Sequence, residues 1–237
     1  MAPESAAELH PHLAEPRKGG HVRVDCHLHT MWSGDATTTP DELEEAVRAA
    51  GIDVLCITDH GTVNGALALL RTGRLPCRIV VGQELRTWAG ELIGLFLTER
   101  LPYGVKPDEA VARIRAQGGL VYVPHPFDPT RHCLREDVLR GLAADGALDM
   151  VEVFNAKTSL RHLNAKARAF AEEFDLPGGA ASDAHEPSAV GAAYLEMPDF
   201  TDARSFLASA RRGAVVGHQY DAPRRWRARI VPSTRAT

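Results

Sequence analysis

Residues 22–65 have the sequence VRVDCHLHTMWSGDATTTPDELEEAVRAAGIDVLCITDHGTVNG, which combines two predicted strands with four potential metal ligands. Alternating apolar and polar residues at its start predict a strand that sends His27 and His29 toward one face. Asp35 follows in a Ser-Gly-Asp loop, where a carboxylate can fold back over the strand end. His60 follows the second predicted strand. Because a parallel β-α-β unit gathers residues at its strand ends, we expect these four side chains to converge.

The helix between these strands has clear boundary signals. Thr39 can cap the first turn, Pro40 takes the first helical position, and Glu42 completes a capping box with Thr39. Gly51 is placed to end the helix. The pattern therefore predicts a strand-helix-strand unit whose second strand covers residues 53–57.

Two segments, HLHTMWSGD (27–35) and ITDH (57–60), resemble the first two motifs of the PHP (polymerase and histidinol phosphatase) superfamily. Three later segments fit the same family: GQE (82–84), PHP (124–126) and SDAH (182–185). The resemblance implies an α/β fold, a distorted seven-stranded β/α barrel in a single domain. Each motif follows a predicted strand, and such strand ends share the face of a β/α barrel where active sites are found.

By resemblance, nine residues would hold two or three divalent transition metal ions. The implied sets are His27, His29, Glu84 and Asp183 for the first metal, Glu84, Glu91 and His125 for the second, and Asp35, His60 and His185 for the third. Manganese, iron and zinc all accept such nitrogen and carboxylate donors, so the metal stays open. We expect Asp25 and Asp59 to orient imidazoles by accepting their N–H groups.

Glu91 is the one clear departure from the family pattern. Many family members carry a metal-binding His at the start of this strand, and aligning Gly94 with the family's glycine places Glu91 at that position. Two interpretations stay open. Glu91 is a substitute ligand, which we favour, or one metal position is weakened or lost.

Three basic residues, Arg131, His132 and Arg161, are candidate contacts to a substrate phosphate. Arg131 and His132 follow the third motif in a loop, and a guanidinium suits bidentate binding of a phosphate. A solvated loop arginine is an equally fair interpretation of Arg131. The positive charge around Arg161 also fits a solvated helix face.

The composition indicates one globular domain with a substantial core. The chain has 237 residues, 44% of them hydrophobic and 24% charged, and a net charge of −4 disfavours a general nucleic-acid-binding surface. We divide it into a disordered N-terminal arm (1–20), a phosphoesterase domain (21–217) and a basic C-terminal tail (218–237).

The expected location is the cytoplasm. The four cysteines show no CxxC spacing, which fits reduced thiols. Residues 1–20 lack the apolar core of a signal peptide, and no later segment is apolar enough to span a bilayer. We therefore expect no membrane partner, and the oligomeric state stays open.

The implied reaction is hydrolysis of a phosphate ester, with a phosphomonoester of a nucleotide or other small metabolite as the favoured substrate. A hydroxide bridging the metals would be the nucleophile, since the sequence contains neither a GxSxG motif nor a P-loop. Nucleic acid is a less favoured partner, through a phosphodiesterase or 5′-directed exonuclease activity. A non-catalytic metal-bound module and a C–N-cleaving metallohydrolase are weaker alternatives.

Overall fold

The computed structural model describes residues 18–220, which form one α/β domain with a mixed sheet of nine strands and six α-helices. The strands are β1 (His21–Leu28), β2 (Val54–Ile57), β3 (Arg78–Thr87), β4 (Gly90–Leu95), β5 (Leu120–Val123), β6 (Met150–Asn155), β7 (Gly178–Ala181), β8 (Ala193–Pro198) and β9 (Ala214–Gly217). The helices are α1 (Pro40–Ala50), α2 (Asn64–Thr72), α3 (Pro107–Ala116), α4 (Glu136–Ala144), α5 (Arg161–Glu173) and α6 (Ala203–Ala210). Most of the predicted arm, and most of the predicted basic tail, lie outside the described residues.

The sheet has the order β7-β6-β5-β4-β3-β2-β1-β8-β9 and curves into a nearly closed barrel. Closure occurs between β1 and the segment after β7. His29 N–H donates to the Ala184 carbonyl at 3.0 Å, and Asp183 N–H donates to the His27 carbonyl at 2.9 Å. These bonds place the residues that follow β7 beside the end of β1.

The structure has two more strands than the seven that the family resemblance implied. The first seven strands close the barrel. The eighth and ninth extend the sheet beyond β1, where residues 21–24 pair antiparallel with residues 195–198 of β8. Strand β1 pairs with β2 along one edge, while on its other edge the first half pairs with β8 and the last residues meet the segment after β7.

Strand β3 is longer than the sequence suggested. Residues 78–81, just before the GQE motif, pair parallel with β2, but the chain then continues to Thr87 as the first arm of an antiparallel hairpin with β4. Glu84 therefore lies inside a strand and not after one. Because β3 continues past its parallel partner β2 and pairs with β4, it carries Glu84 into the barrel mouth.

Helix α1 begins and ends where its sequence signals indicate. The Thr39 hydroxyl accepts from Glu42 N–H, and the Glu42 carboxylate accepts from Thr39 N–H at 2.9 Å. Gly51 ends the helix with a φ of 61°, a conformation that costs glycine little. Leu43 and Val47 face the core, so the helix holds the ends of β1 and β2 against the barrel.

The strands supply most of the core. All residues of β2 and β5 are buried, as expected for strands covered on both faces. Cys26 and Cys56 belong to this core, and all four cysteines are free thiols. Within residues 18–220, no helix combines the length and apolarity that a membrane crossing requires.

Candidate metal centre

The end of β1 delivers two imidazoles to the barrel mouth. His27 and His29 are both buried, and their Nε2 atoms lie 2.9 Å apart. Burial alone would lower the pKa of His27, but the carboxylates of Glu84, Asp183 and Glu152 raise it well above its usual range. Burial lowers the pKa of His29, and the neighbouring imidazoles lower it further. The surroundings therefore favour a positive charge on His27 and disfavour one on His29.

Glu84 stands at the centre of the imidazoles. Its Oε2 lies 3.4 Å from His27 Nε2, 3.3 Å from His29 Nε2 and 3.0 Å from His60 Nδ1. Its Oε1 lies 3.0 Å from His125 Nε2. Because the two oxygens face different groups of nitrogens, this carboxylate is arranged to bridge two cations.

Asp183 completes the first group of donors. Its Oδ1 lies 3.8 Å from His27 Nε2 and 3.5 Å from His29 Nε2, and this buried oxygen accepts no hydrogen bond within the described part of the chain. Tetrahedral donors about 2.1 Å from a metal stand roughly 3.4 Å apart, which matches these separations. Donor atoms of His27, His29 and Glu84 also lie within 4.8 Å of one another, so these residues are candidates for holding a divalent transition metal ion.

A second donor group lies at the edge of the mouth. The Asp35 Oδ2 atom lies 3.2 Å from His60 Nε2 and 3.4 Å from His185 Nε2. Burial would lower the pKa of His60, but Glu84 and Asp35 raise it to about 11. Ser33 holds this group to the first, since its hydroxyl contacts His29 Nδ1 at 2.8 Å and accepts from His60 N–H at 2.9 Å.

Glu91 points into the same mouth. Its Oε2 lies 3.9 Å from His125 Nε2, and donor atoms of His60, Glu84 and Glu91 lie within 4.8 Å of one another. Burial and the charge of Glu84 raise the pKa of Glu91 to about 7. The carboxylate therefore occupies the position expected of a substitute ligand, next to the partners that the family resemblance implied.

Two of the nine residues have unusual backbone conformations. His125 has a φ of 29° and Asp183 a φ of 50°, values that residues other than glycine rarely adopt. Such strain persists only where surrounding contacts enforce it, and it concentrates at functional sites. Flanking prolines at 124 and 126 contribute to this constraint at His125.

Glu152 is the main residue that the sequence analysis missed. This buried β6 carboxylate lies 3.2 Å through Oε1 from His27 Nδ1, and its Oε2 accepts from the backbone N–H of His125 and from Asn155 Nδ2 at 2.9 Å. With Nδ1 donating to Glu152, the His27 Nε2 lone pair faces the donor group. The available signal was a charged residue between Val151 and Val153 in an apolar strand.

The expected roles of Asp25 and Asp59 need correction. Asp25 accepts from the backbone N–H and hydroxyl of Ser182 and from His27 N–H, and Asp59 accepts from the backbone N–H and hydroxyl of Thr30. Both carboxylates thus hold the loops that carry the imidazoles. The rings themselves are oriented by Glu152 and Ser33.

The three candidate phosphate contacts have different surroundings. Arg131 Nη2 lies 2.9 Å from Asp183 Oδ2, so its guanidinium borders the first donor group. His132 is exposed, and its carbonyl accepts from Glu91 N–H at 2.8 Å. Arg161 donates to the Gln219 side-chain oxygen at 3.1 Å. Lys157, which the sequence analysis did not select, lies 2.8 Å from His185 Nδ1.

Three solved structures share this fold. A two-domain protein from Bacteroides vulgatus containing a predicted PHP-like metal-dependent phosphoesterase has a TM-score of 0.65 and 19% identity, covering 86% of this chain and 67% of that one. PsfC from Pseudomonas syringae has a TM-score of 0.64 and 21% identity, covering 84% and 92%. An amidohydrolase from Chromobacterium violaceum with bound sulfate has a TM-score of 0.54 and 17% identity, covering 69% and 88%.

Sequence comparisons give the family. The PHP domain model matches residues 25–100, and the PHP-associated model matches residues 161–215. One uncharacterized protein of Methanocaldococcus jannaschii is 36% identical over 146 residues, covering 57% of this chain and 82% of the relative. Another from the same organism is 34% identical over 195 residues, covering 78% of each. With its motifs assembled at one barrel mouth, the chain belongs to the PHP family.

Proposed function

We propose that this protein hydrolyses phosphate esters with two or three bound divalent transition metal ions, and that a phosphomonoester of a nucleotide or other small metabolite is its substrate. The observation that carries the proposal is the convergence of His27, His29, Glu84 and Asp183. Their facing atoms include Asp183 Oδ1, a buried oxygen that accepts no hydrogen bond within the described residues. This donor chemistry binds cations and contains no side chain suited to forming a covalent phosphoenzyme by the usual Ser or Cys route.

The three implied ligand sets have the donor types that manganese, iron or zinc accept. The first set is the four residues above, the second is Glu84, Glu91 and His125, and the third is Asp35, His60 and His185. When bound, divalent cations polarise phosphoryl oxygens and make water available as a nucleophile near neutral pH.

The side chains around the donor groups suit a dianionic substrate. Arg131 is largely buried beside Asp183, and a guanidinium held there can bind two phosphate oxygens at once. Lys157 Nζ lies 3.8 Å from Asp183 Oδ1 and brings a second positive charge to the same edge. Together these residues would orient the phosphate and offset part of its charge.

The test is phosphate release from phosphomonoesters and phosphodiesters by metal-reconstituted protein. Asp183→Ala and His60→Ala should each reduce kcat by orders of magnitude with little change in folding, because they remove donors and not core. Asp175→Ala, at an exposed carboxylate paired with Arg211, is the matched control and should retain full activity.

Two further readouts separate the mechanism from its competitors. In labelled water, a single turnover should place one solvent oxygen in the phosphate, whereas a trapped phosphorylated side chain contradicts the proposal. Rates that rise with oligonucleotide length would instead favour the exonuclease. Full activity after thorough metal removal would refute metal-dependent hydrolysis.

A further inference from the structure

We propose that Trp88 and Tyr103 form an aromatic rim that stacks the base of a nucleotide while its phosphate occupies the adjacent donor groups. This inference rests on the proposed phosphoesterase function and narrows its substrate to esters that carry a nucleobase.

Both rings are unusually exposed for their size. Trp88 is 71% exposed and Tyr103 is 58% exposed, while the other large exposed apolar residues of the described chain, Leu70 and Leu160, are aliphatic. Aromatic rings carry large apolar faces and usually bury them. Two exposed rings on neighbouring segments therefore form a surface suited to a flat aromatic ligand.

Backbone hydrogen bonds join the two segments beside the metal ligands. Trp88 N–H donates to the Val105 carbonyl at 3.2 Å, and Gly104 N–H donates to the Arg86 carbonyl at 2.9 Å. The Tyr103 ring lies next to Gly61, since a Cβ built on Gly61 would stand 3.6 Å from Tyr103 Cδ2.

Each ring is thereby tied to a candidate ligand. Gly61 directly follows His60, so Tyr103 borders the second donor group. Trp88 lies four residues after Glu84, which at about 3.3 Å per residue is roughly 13 Å between Cα atoms. A nucleotide can span a separation of this size between the donor groups and the rim.

Charge complementarity selects an anionic aromatic ligand. Lys106 Nζ stands 5.5 Å from the Trp88 ring centre, and Arg100 Nε donates to the Gly61 carbonyl at 2.6 Å. Arg86 lies opposite Glu91 in the β3–β4 ladder, and its positive charge acts to lower the pKa of the Glu91 carboxyl. Rings interleaved with cations are the usual surface for stacking bases beside a phosphate backbone.

The experiment compares adenosine monophosphate with ribose phosphate, which lacks the base. Stacking on one ring strengthens base binding roughly tenfold to a hundredfold, so kcat/KM should favour adenosine monophosphate by at least that factor. Trp88→Ala and Tyr103→Ala should each remove about tenfold of this preference through KM. Trp88→Phe should retain most of it. Leu160→Ala, at an equally exposed apolar residue elsewhere, is the control.

Equal loss on both substrates, or no loss on adenosine monophosphate, would overturn the rim. Tryptophan fluorescence provides a readout independent of turnover: adenosine monophosphate should quench wild-type protein more than Trp88→Phe, and equal quenching counts against the proposal. If neither ester is hydrolysed but this difference in quenching remains, the phosphoesterase function fails and the base site stands. If both esters are hydrolysed without a base preference, the base site fails and the phosphoesterase function stands.

Discussion

Glu152→Gln tests whether the buried carboxylate behind His27 orients the metal centre. The carboxylate faces four donors: His27 Nδ1 and the Tyr122 hydroxyl through Oε1, and His125 N–H and Asn155 Nδ2 through Oε2. A glutamine has nearly the same shape but replaces one acceptor oxygen with an NH₂ donor. In either orientation, two of the four donors would face another N–H group.

The two orientations of the amide disturb the site differently. With NH₂ toward His27, the ring must accept at Nδ1 and carry its proton on Nε2, where it cannot bind a metal. With NH₂ toward the backbone of His125, the strained conformation of that residue loses its anchor. Each unsatisfied buried donor costs about 1–3 kcal/mol, so stability should fall by about 2–6 kcal/mol before relaxation. Metal affinity should fall about tenfold to a hundredfold.

The assay combines thermal unfolding of metal-free protein with competitive titration of Zn²⁺ or Mn²⁺ at a temperature where both variants are folded. Glu196→Gln is the matched control, because Glu196 is another buried strand carboxylate but pairs with Arg23 at 3.8 Å, away from the donor groups. It should leave metal affinity unchanged. If Glu152→Gln binds metal within twofold of wild type, the proposed role of Glu152 in holding His27 is wrong.

Three further predictions follow from the site. Protein purified without chelators should contain more than one equivalent of transition metal by elemental analysis, and failure to take up added Mn²⁺ or Zn²⁺ would refute the ligand assignment. Burial and the charge of Glu84 raise the pKa of Glu91 to about 7. A protonated carboxyl does not bind metal, so affinity at this position should rise about tenfold between about pH 6 and pH 8. Glu91→Ala should flatten that rise and lower occupancy, and Glu91→His should retain binding. Gly90→Ala would place a Cβ 2.3 Å from the Cys133 carbonyl oxygen, so it should displace the loop that carries Arg131. We expect this variant to raise KM without lowering metal content. Gly141→Ala, whose Cβ would meet open space, should leave KM unchanged.

Local signals predicted the first part of the fold well. The capping box of Thr39 and Glu42 and the glycine at 51 are short-range features, so the boundaries of α1 followed from neighbouring residues alone. The end of β1 likewise needed only the alternation that sends His27 and His29 to one face. These local features are enough to predict the first two donors without knowledge of distant contacts.

Features that depend on distant parts of the chain were harder to predict. The extension of β3 through Glu84 depends on pairing with β4, and the antiparallel pairing of β8 depends on the free edge of β1. Glu152 became recognisable only when β6 was placed behind His27, a residue far away in sequence. The alternation of β6 gave no sign of which imidazole would lie opposite its one charged residue.

The charges of the site support the hypothesis that Glu91 is a substitute ligand. It joins the buried carboxylates Glu84 and Asp183 at one mouth, where buried anions cost several kcal/mol each unless cations pair with them. Arg131 pairs with Asp183 through Oδ2, which leaves Oδ1 facing the imidazoles. Replacing the family's imidazole with a carboxylate adds one negative charge and a harder donor, and manganese, iron and zinc all accept such a ligand. Without a cation, burial beside Glu84 raises the pKa of Glu91 to about 7, so its charged form is favoured at neutral pH only when a cation compensates it.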